Sequence, residues 1–235
     1  MNIDIFAILA NNWFPILFSA VAAYFLGSIN FAIIVTKYFR KDDIRNHGSG
    51  NAGATNVLRS AGKLPAIVTL CGDLLKVVAA ILTARMIFEN FSNLPLDIFG
   101  PVPAYLAGLC CIIGHMFPCY FGFKGGKGVA TTAGTMIFVD FRVFFAVFTV
   151  FLIVFLITHI VSISSVIGSA LIPVAAFCCT YFFDYLPDSQ MSSPTYPIEL
   201  CWFSVLSSLV IAVIIIVKHT ENIKRLFKGE EKKLF

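Results

Sequence analysis

Long uninterrupted stretches of apolar residues constrain this chain more strongly than any other feature. Most of them are long enough for a helix that crosses a membrane, and only short polar segments separate them. Of the 235 residues, 58% are hydrophobic and 13% are charged, a balance that soluble domains rarely sustain. The connecting segments are too short to hold a separate soluble domain. We therefore expect a single all-α integral membrane domain over residues 1–235.

The apolar stretches predict seven transmembrane helices. Their expected bounds are about residues 13–36, 65–88, 101–121, 129–139, 143–157, 166–183 and 200–217. The fourth stretch is short for a full crossing, so we expect a half-helix or a tilted span there. A polar break is expected at residues 158–165, between the fifth and sixth helices.

Basic residues are concentrated on one side of this predicted topology. Of the 17 lysines and arginines, 14 fall in or beside the segments at 38–64 and 121–128 and the C-terminal tail. The opposite side carries the acidic residues Glu89, Asp97, Asp184, Asp188 and Glu199. The positive-inside rule therefore places the basic face in the cytosol and the N-terminus outside.

The first polar cluster, residues 47–59, is dense in glycine. Gly48, Gly50 and Gly53 allow positive φ angles and close backbone approach. Successive backbone N–H groups can then line a concavity that holds an anion. The same cluster carries further groups suited to a phosphate, namely Ser49, Asn51, Thr55, Asn56 and the guanidinium of Arg59.

The second polar cluster, residues 124–131, places Lys127 among Gly125, Gly126 and Gly128 and ends at Thr131. It is not a Walker A motif, because a glycine follows the Gly-Lys pair. The N-terminus of the short fourth helix would direct its partial positive charge at this loop.

The third polar cluster, residues 218–225, places His219 and Asn222 three positions apart, so both would share one face of a helix. His115 stands at the cytosolic end of the third helix, where it is either a satisfied helix-end histidine or a site residue. Ser162 belongs to a serine-rich stretch that either caps a helix or binds a ligand. All three polar clusters fall on the predicted cytosolic side, which favours anion binding over simple turns.

Several other kinds of site are excluded by motif or spacing. No histidine is followed five residues later by aspartate, so the HxxxxD acyltransferase pair is absent. GxSxG and HExxH motifs are also absent.

Asp73 and Lys76, three apart inside the second helix, are expected to form a buried structural pair.

Three long motifs, in this order, resemble those of the bacterial acyl-phosphate:glycerol-3-phosphate acyltransferases. They are GSGNAGATN at 48–56 with Arg59, GHMFP at 114–118 followed by FKGGKGVAT at 123–131, and KHTENIKRL at 218–226. The similarity extends over nearly the whole chain. It departs from the usual family pattern at Asn30, where proline is common, and at His159, where arginine is common. We expect the change at Asn30 to straighten a helix.

The resemblance implies a seven-span enzyme of the bacterial inner membrane. Such an enzyme transfers a fatty acyl group from acyl phosphate to the 1-position of sn-glycerol 3-phosphate, giving lysophosphatidate and phosphate. This is the first acylation of phospholipid synthesis, and it uses no acyl-CoA, metal or cofactor. The expected partners are the two substrates and membrane lipid, with no nucleic acid, and the expected state is a monomer.

The resemblance also implies which residues form the site. The expected catalytic residues are Ser49, Arg59, Lys127, His219 and Asn222. The expected substrate-binding residues are Gly50, Asn51, Gly53, Thr55, Asn56, His115, Gly125, Gly126, Gly128, Thr131 and Ser162. The alternatives are a membrane carrier for a phosphorylated anionic solute and a scaffold that binds anionic lipid headgroups.

Overall fold

The computed structural model describes residues 11–191 and 195–234, and these form helices and loops without a β-strand among them. The helices in these ranges are α1 (Trp13–Ser28), α2 (Phe31–Arg40), α3 (Ala54–Ala61), α4 (Lys63–Phe91), α5 (Leu96–Phe99), α6 (Pro101–Met116), α7 (Val129–Val139), α8 (Phe141–Thr158), α9 (Val161–Phe177), α10 (Leu186–Ser189), α11 (Ile198–Lys218) and α12 (Thr220–Phe227). A π-helical stretch, Cys178–Tyr185, joins α9 to α10.

Six helical segments in the described ranges are long and apolar enough to cross a membrane. They are Trp13–Arg40, Lys63–Phe91, Pro101–Phe121, Phe141–Thr158, Val161–Ser189 and Ile198–Lys218. The apolar helix α7 has 11 residues, which corresponds to about 17 Å at 1.5 Å per residue. This is roughly half of a bilayer's hydrocarbon core, as expected of the short fourth helix. A crossing of the membrane by α7, and with it the count of seven, stays a prediction.

The first membrane segment is broken in the middle, between α1 and α2. Asn30 is buried at the break, and its Oδ1 accepts a hydrogen bond from the backbone N–H of Ile33 at 3.1 Å. Its Nδ2 donates to the carbonyl oxygen of Ala52 at 3.4 Å. The expectation that Asn30 would straighten this helix is wrong, because the side chain caps α2 and ends the run of α1.

The serine-rich stretch also differs from the prediction. Only two residues separate α8 from α9, so Ser162, Ser164 and Ser165 lie within the first turns of α9. The hydroxyls of Ser164 and Ser165 each donate to the carbonyl oxygen four residues earlier. The predicted polar break at 158–165 is therefore too long, because these serines satisfy their hydroxyls inside a helix.

The helices pack in two groups with α7 between them. In the first group α1, α4 and α6 contact one another, while in the second α9 packs against both α8 and α11. Glycine permits close contact between α1 and α6, because a Cβ at Gly27 would lie 2.2 Å from the carbonyl oxygen of Cys111. The short α7 contacts α4, α6 and α8, so its N-terminus is held at the junction of the two groups.

Candidate active site

A cavity of about 600 Å³ brings the three polar clusters together. We call its polar end the part lined by Ser49, Asn51, Gly53, Thr55, Asn56, Arg59, Lys127, Gly128, Ser162, His219, Asn222 and Arg225. The five residues expected to be catalytic are all among them. The structure therefore gathers segments that are far apart in the sequence around one space.

Asn56 organises the first polar cluster. Its Oδ1 accepts from the backbone N–H of Ser49 at 3.0 Å, and its Nδ2 donates to the carbonyl oxygens of His47 at 2.9 Å and Asn51 at 3.0 Å. Gly48 has a φ of +60°, and a Cβ there would lie 2.2 Å from Asn56 Oδ1. Because the loop engages both ends of its amide, Asn56 acts as a positioning residue that shapes the polar end.

The glycine-rich sequence of the first polar cluster suggested a loop throughout, but its second half is helical. The chain enters α3 at Ala54, so Thr55, Asn56 and Arg59 project from a helix. The Arg59 guanidinium donates from Nη2 to the carbonyl oxygen of Lys232 at 3.0 Å. Arg59 is thus fixed at the rim of the cavity, and the contact partner is the C-terminal tail.

Most glycine N–H groups of the two loops are engaged by the protein itself. The N–H of Gly125 donates to the Met116 carbonyl oxygen and that of Gly126 to the His115 carbonyl oxygen, each at 3.1 Å. A Cβ at Gly126 would lie 2.2 Å from Nε2 of His115. Gly125 and Gly126 are absent from the cavity lining and pack against His115 of α6, so their expected contact with a substrate stays a prediction.

Gly50 and Thr131, also expected to bind substrate, lie outside the cavity lining as well. The N–H of Gly50 donates to the carbonyl oxygen of His47 at 2.9 Å. The hydroxyl of Thr131 donates to the carbonyl oxygen of Gly128 at 2.8 Å and is fully buried. Gly50 therefore stabilises its own loop, and Thr131 stabilises the start of α7.

Lys127 and Asn222 face each other in the polar end, where the Lys127 amino group donates a hydrogen bond to Asn222 Oδ1. Burial, helped by the nearby cations Arg225 and Arg59 and opposed by Glu231, lowers the pKa of Lys127 to about 8. Lys127 is therefore still mainly protonated at neutral pH. It forms the centre of a cationic group that suits a phosphate.

His219, at the junction of α11 and α12, is buried. Its Nδ1 lies 2.8 Å from the carbonyl oxygen of Ile215. Because a carbonyl oxygen can only accept, Nδ1 carries the proton and Nε2 is the acceptor of the neutral ring. Burial lowers the pKa of His219 to about 4, so the ring is neutral at pH 7 and only weakly basic.

Glu231 of the C-terminal tail enters the polar end. Its Oε1 accepts from Ser162 Oγ at 2.8 Å and from Asn222 Nδ2 at 2.6 Å, while its Oε2 accepts from Arg225 Nε at 2.7 Å. Burial alone would raise the pKa of Glu231, but these hydrogen bonds hold it below its usual range. An ionised carboxylate thus lines the polar end, bonded to Ser162, Asn222 and Arg225.

A buried polar network of Asp73, Lys76 and His115 lies next to the cavity. The Lys76 amino group is 2.8 Å from Asp73 Oδ1, 2.9 Å from His115 Nδ1 and 2.9 Å from the carbonyl oxygen of Ile29. The ammonium group is thus held by an ion pair with Asp73 and by hydrogen bonds to His115 and Ile29. The buried pair expected from the sequence is present and includes His115, which lines the cavity together with Asp73.

Beyond the polar end, the cavity continues between α7, α8 and α9. This apolar arm is lined by Ala133, Met136, Phe144, Val147, Phe148, Phe151, Gly168 and Ile172. Thr132 also lines the cavity, and its buried hydroxyl has no hydrogen-bond partner in the described ranges. A cavity with a cationic end and a hydrocarbon-like arm fits a molecule that has an anionic head and an acyl tail.

Sequence reasoning did not select Arg225, Glu231, Asp73 or Thr132 as site residues. Arg225 could have been found, because it stands three residues after Asn222 and so shares its helix face. No pattern singled out Glu231, which stands in a basic tail. Among residues 11–191 and 195–234, no three His, Cys, Asp or Glu side chains are grouped to hold a metal ion.

A sequence profile described as Glycerol-3-phosphate acyltransferase matches residues 17–229. The chain belongs to the glycerol-3-phosphate acyltransferase family. The glycerol-3-phosphate acyltransferase of Neisseria gonorrhoeae (strain NCCP11945) is 36% identical over 216 residues, which cover 92% of this chain and 96% of the relative. That of Shouchella clausii is 39% identical over 211 residues, which cover 90% and 92%.

The fold is similar to the crystal structure of PlsY (YgiH), an integral membrane glycerol 3-phosphate acyltransferase, in its glycerol 3-phosphate form. The TM-score is 0.72 at 35% identity, with 93% of this chain and 94% of PlsY covered. The lysophosphatidic acid form gives a TM-score of 0.70 at 34% identity. The family expected from the motifs is thus confirmed, and this glycerol-3-phosphate acyltransferase is an all-helical, multi-pass membrane enzyme.

Proposed function

We propose that this enzyme transfers a fatty acyl group from acyl phosphate to the 1-hydroxyl of sn-glycerol 3-phosphate, releasing lysophosphatidate and phosphate. The observation that carries this proposal is the single cavity in which a cationic end joins an apolar arm. The related PlsY structures are described as a glycerol 3-phosphate form and a lysophosphatidic acid form. An anionic head and an acyl tail of this kind match the two parts of the cavity.

The polar end is suited to holding two phosphorylated substrates at once. Arg59, Lys127 and Arg225 supply positive charge that offsets the repulsion between two anions. We assign glycerol 3-phosphate to Arg59, Lys127, His219 and Asn222. We assign the phosphoryl group of acyl phosphate to Ser49 and its loop, which Asn56 holds open.

The apolar arm would take the acyl chain. Phe144, Phe148 and Phe151 line it from α8, while Ile172 lines it from α9. Transfer of a fatty chain from water to such a lining is favourable by about 0.8 kcal/mol per buried CH₂ group. The acyl carbonyl of the donor would then lie where the apolar arm meets the polar end, within reach of the acceptor hydroxyl.

The chemistry requires mainly that the two substrates be held together. The 1-hydroxyl oxygen attacks the acyl carbonyl carbon, the bond from that carbon to the phosphate oxygen breaks, and the electron pair leaves with the phosphate. The hydroxyl proton passes to a phosphate oxygen of one substrate. A pKa of about 4 makes His219 a poor general base, so we infer that its Nε2 orients the hydroxyl and that rate enhancement comes from proximity and charge stabilisation.

We further propose that the enzyme crosses the bacterial inner membrane seven times, with α7 as the short crossing and the polar end facing the cytosol. This orientation is supported by the positive-inside rule, because 14 of the 17 lysines and arginines fall in segments that seven crossings would put on the same side of the membrane. It places the N-terminus outside, although residues 1–10 lie outside the described ranges. We expect a monomer to be active, since residues of one chain line both parts of the cavity.

The deciding experiment compares acyl donors. Purified enzyme in lipid vesicles is given labelled glycerol 3-phosphate with acyl phosphate, acyl-CoA or acyl carrier protein of equal chain length. We expect lysophosphatidate and phosphate in equal amounts with acyl phosphate alone. Equal rates with acyl-CoA would contradict the proposed donor, and accumulation of unmodified glycerol 3-phosphate inside the vesicles would indicate a carrier.

A further inference from the structure

The C-terminal tail, residues 229–234, folds back across the polar end. Gly229 reverses the chain after α12 with a φ of +70°. The backbone N–H of Leu234 donates to the carbonyl oxygen of His159 at 2.8 Å, and Arg59 donates to the carbonyl oxygen of Lys232 at 3.0 Å. The tail is thus attached on both sides of the cavity, to the α8–α9 connection and to α3.

The tail also places the side chain of Glu231 inside the polar end. It is 8% exposed, and its carboxylate takes hydrogen bonds from Ser162, Asn222 and Arg225. A carboxylate and a phosphate use the same charge-assisted donors. These three donors cannot hold Glu231 and a substrate phosphate in the same place at the same time.

We propose that the C-terminal tail is a built-in competitor, in which the Glu231 carboxylate occupies a phosphate position that a substrate must clear before it binds. This inference rests on the proposed function, because it takes the polar end to be the place where phosphorylated substrates are held. The family profile ends at residue 229, so residues 230–234 lie beyond the matched region.

The tail is held by hydrogen bonds. Besides those of the Glu231 carboxylate inside the polar end, they are the bonds of the Glu230 and Leu234 backbone N–H groups and of the Lys232 carbonyl oxygen. They lie outside the backbone hydrogen bonds of the membrane helices, so the tail can be released while those helices stay intact. When the tail is closed, the negative charge of Glu231 offsets part of the positive charge of Lys127, Arg225 and Arg59 in the polar end. Because only the open fraction binds substrate, the apparent affinity is reduced by the closed fraction.

The first test compares variants in steady-state kinetics. Glu231→Gln and a chain lacking residues 230–235 are each expected to lower KM for glycerol 3-phosphate by at least about threefold, with kcat unchanged within about twofold. Glu221→Gln is the matched control, since Glu221 is exposed, does not line the cavity and loses the same charge. We expect it to leave KM unchanged. An equal fall in KM for Glu221→Gln would overturn the proposal, because it would reveal a general charge effect.

The second test adds the tail back in trans. A synthetic peptide of residues 229–235 is expected to raise KM for glycerol 3-phosphate in the shortened enzyme without changing kcat. The same peptide with glutamine at position 231 is expected to be at least about threefold weaker, because the charge-assisted contacts are lost. Equal inhibition by the two peptides would contradict the assigned part of Glu231.

The third test reads the tail directly and needs no acyl transfer. Inorganic phosphate added to the full-length enzyme is expected to speed hydrogen exchange at the amide of Leu234, because tail release breaks its bond to the His159 carbonyl oxygen. Unchanged exchange at saturating phosphate would overturn the proposal. If hydrogen exchange responds to phosphate but no variant forms lysophosphatidate, the proposed function fails while the tail inference stands. If the shortened enzyme forms lysophosphatidate normally with an unchanged KM, the proposed function stands and the tail inference fails.

Discussion

The amino group of Lys127 donates a hydrogen bond to the side-chain oxygen of Asn222, a residue 95 positions away in the sequence. This bond joins the second polar cluster, before α7, to the third polar cluster, on α12. It holds a partly buried ammonium group at the centre of the polar end, where a substrate phosphate would complete its coordination. The site therefore depends on the packing of distant helices as much as on the loops that carry its motifs.

Replacing Lys127 with alanine should lower kcat/KM for glycerol 3-phosphate at least about tenfold, because a charge-assisted contact to phosphate is worth about 1.5–3 kcal/mol. The rate of lysophosphatidate formation measures the effect. Lys124→Ala is the control, since Lys124 is exposed in the same loop and does not line the cavity. Normal turnover of Lys127→Ala would refute the phosphate contact.

The reaction should weaken at alkaline pH through Lys127. Burial brings the pKa of Lys127 down to about 8, so the cation is present below that pH and is lost as the pH rises through it. We expect kcat/KM to fall above pH 8, because this quantity reports groups of the free enzyme. Lys127→Arg should move the fall to higher pH, since a guanidinium stays charged. A flat profile to pH 9.5 in the unmodified enzyme would show that Lys127 does not bind as a titrating cation.

Replacing His219 with glutamine tests proton transfer. If a substrate phosphate oxygen takes the proton, kcat should fall no more than about tenfold and the shape of its pH dependence should be retained. Loss of a general base would instead cost about 10²–10⁴ in rate. Rate profiles from pH 5 to pH 9 separate these outcomes, and a large loss with a changed profile would make His219 the base.

Asn56→Ala should destabilise the first polar cluster. The change leaves the backbone N–H of Ser49 and the carbonyl oxygens of His47 and Asn51 without their partner. Unsatisfied groups of this kind cost about 1–3 kcal/mol, so both the thermal unfolding midpoint and the affinity for acyl phosphate should fall. Asn46→Ala, at an exposed position, is the control that should change neither. Unaltered stability and KM in Asn56→Ala would show that the loop holds its shape without this amide.

Gly126→Ala should prevent correct folding of the second polar cluster. The added Cβ would lie 2.2 Å from His115 Nε2 and 2.6 Å from the carbonyl oxygen of Ala52, distances that require the backbone to move. We expect a strong loss of folded protein in size-exclusion chromatography. Gly168→Ala should fold normally, because its Cβ would meet Val147 Cγ1 at an ordinary 3.5 Å. A well-folded, active Gly126→Ala enzyme would contradict the packing role given to this glycine.

The sequence was sufficient for the features that the membrane dictates. Apolar stretches located the membrane helices and the short α7, because a bilayer requires long hydrophobic runs. Counting alternate crossings predicted that the three polar clusters lie on the same side of the membrane. The structure places them around one cavity. The motif resemblance was sufficient for the family, since three long motifs in one order covered most of the chain.

The sequence was insufficient wherever tertiary contacts decide the outcome. A polar, glycine-rich stretch looks the same whether its donors face a ligand or a carbonyl oxygen, so the packing of Gly125 and Gly126 was missed. The helical state of Thr55, Arg59 and Ser162 was missed for a related reason, because polar residues at the end of a membrane helix resemble a loop. The position of Glu231 depends on how the tail folds back, and the local sequence pattern does not predict that fold.

The break at Asn30 connects the first membrane segment to the first polar cluster. A proline, common here in the family pattern, fixes its own φ angle but brings no side-chain hydrogen-bonding group. Asparagine instead accepts a hydrogen bond from Ile33, at the start of α2, while the other end of its amide donates to Ala52 beside Gly53. One side chain thus serves both the helix break and the glycine loop, so a substitution at Asn30 would remove a bond from each.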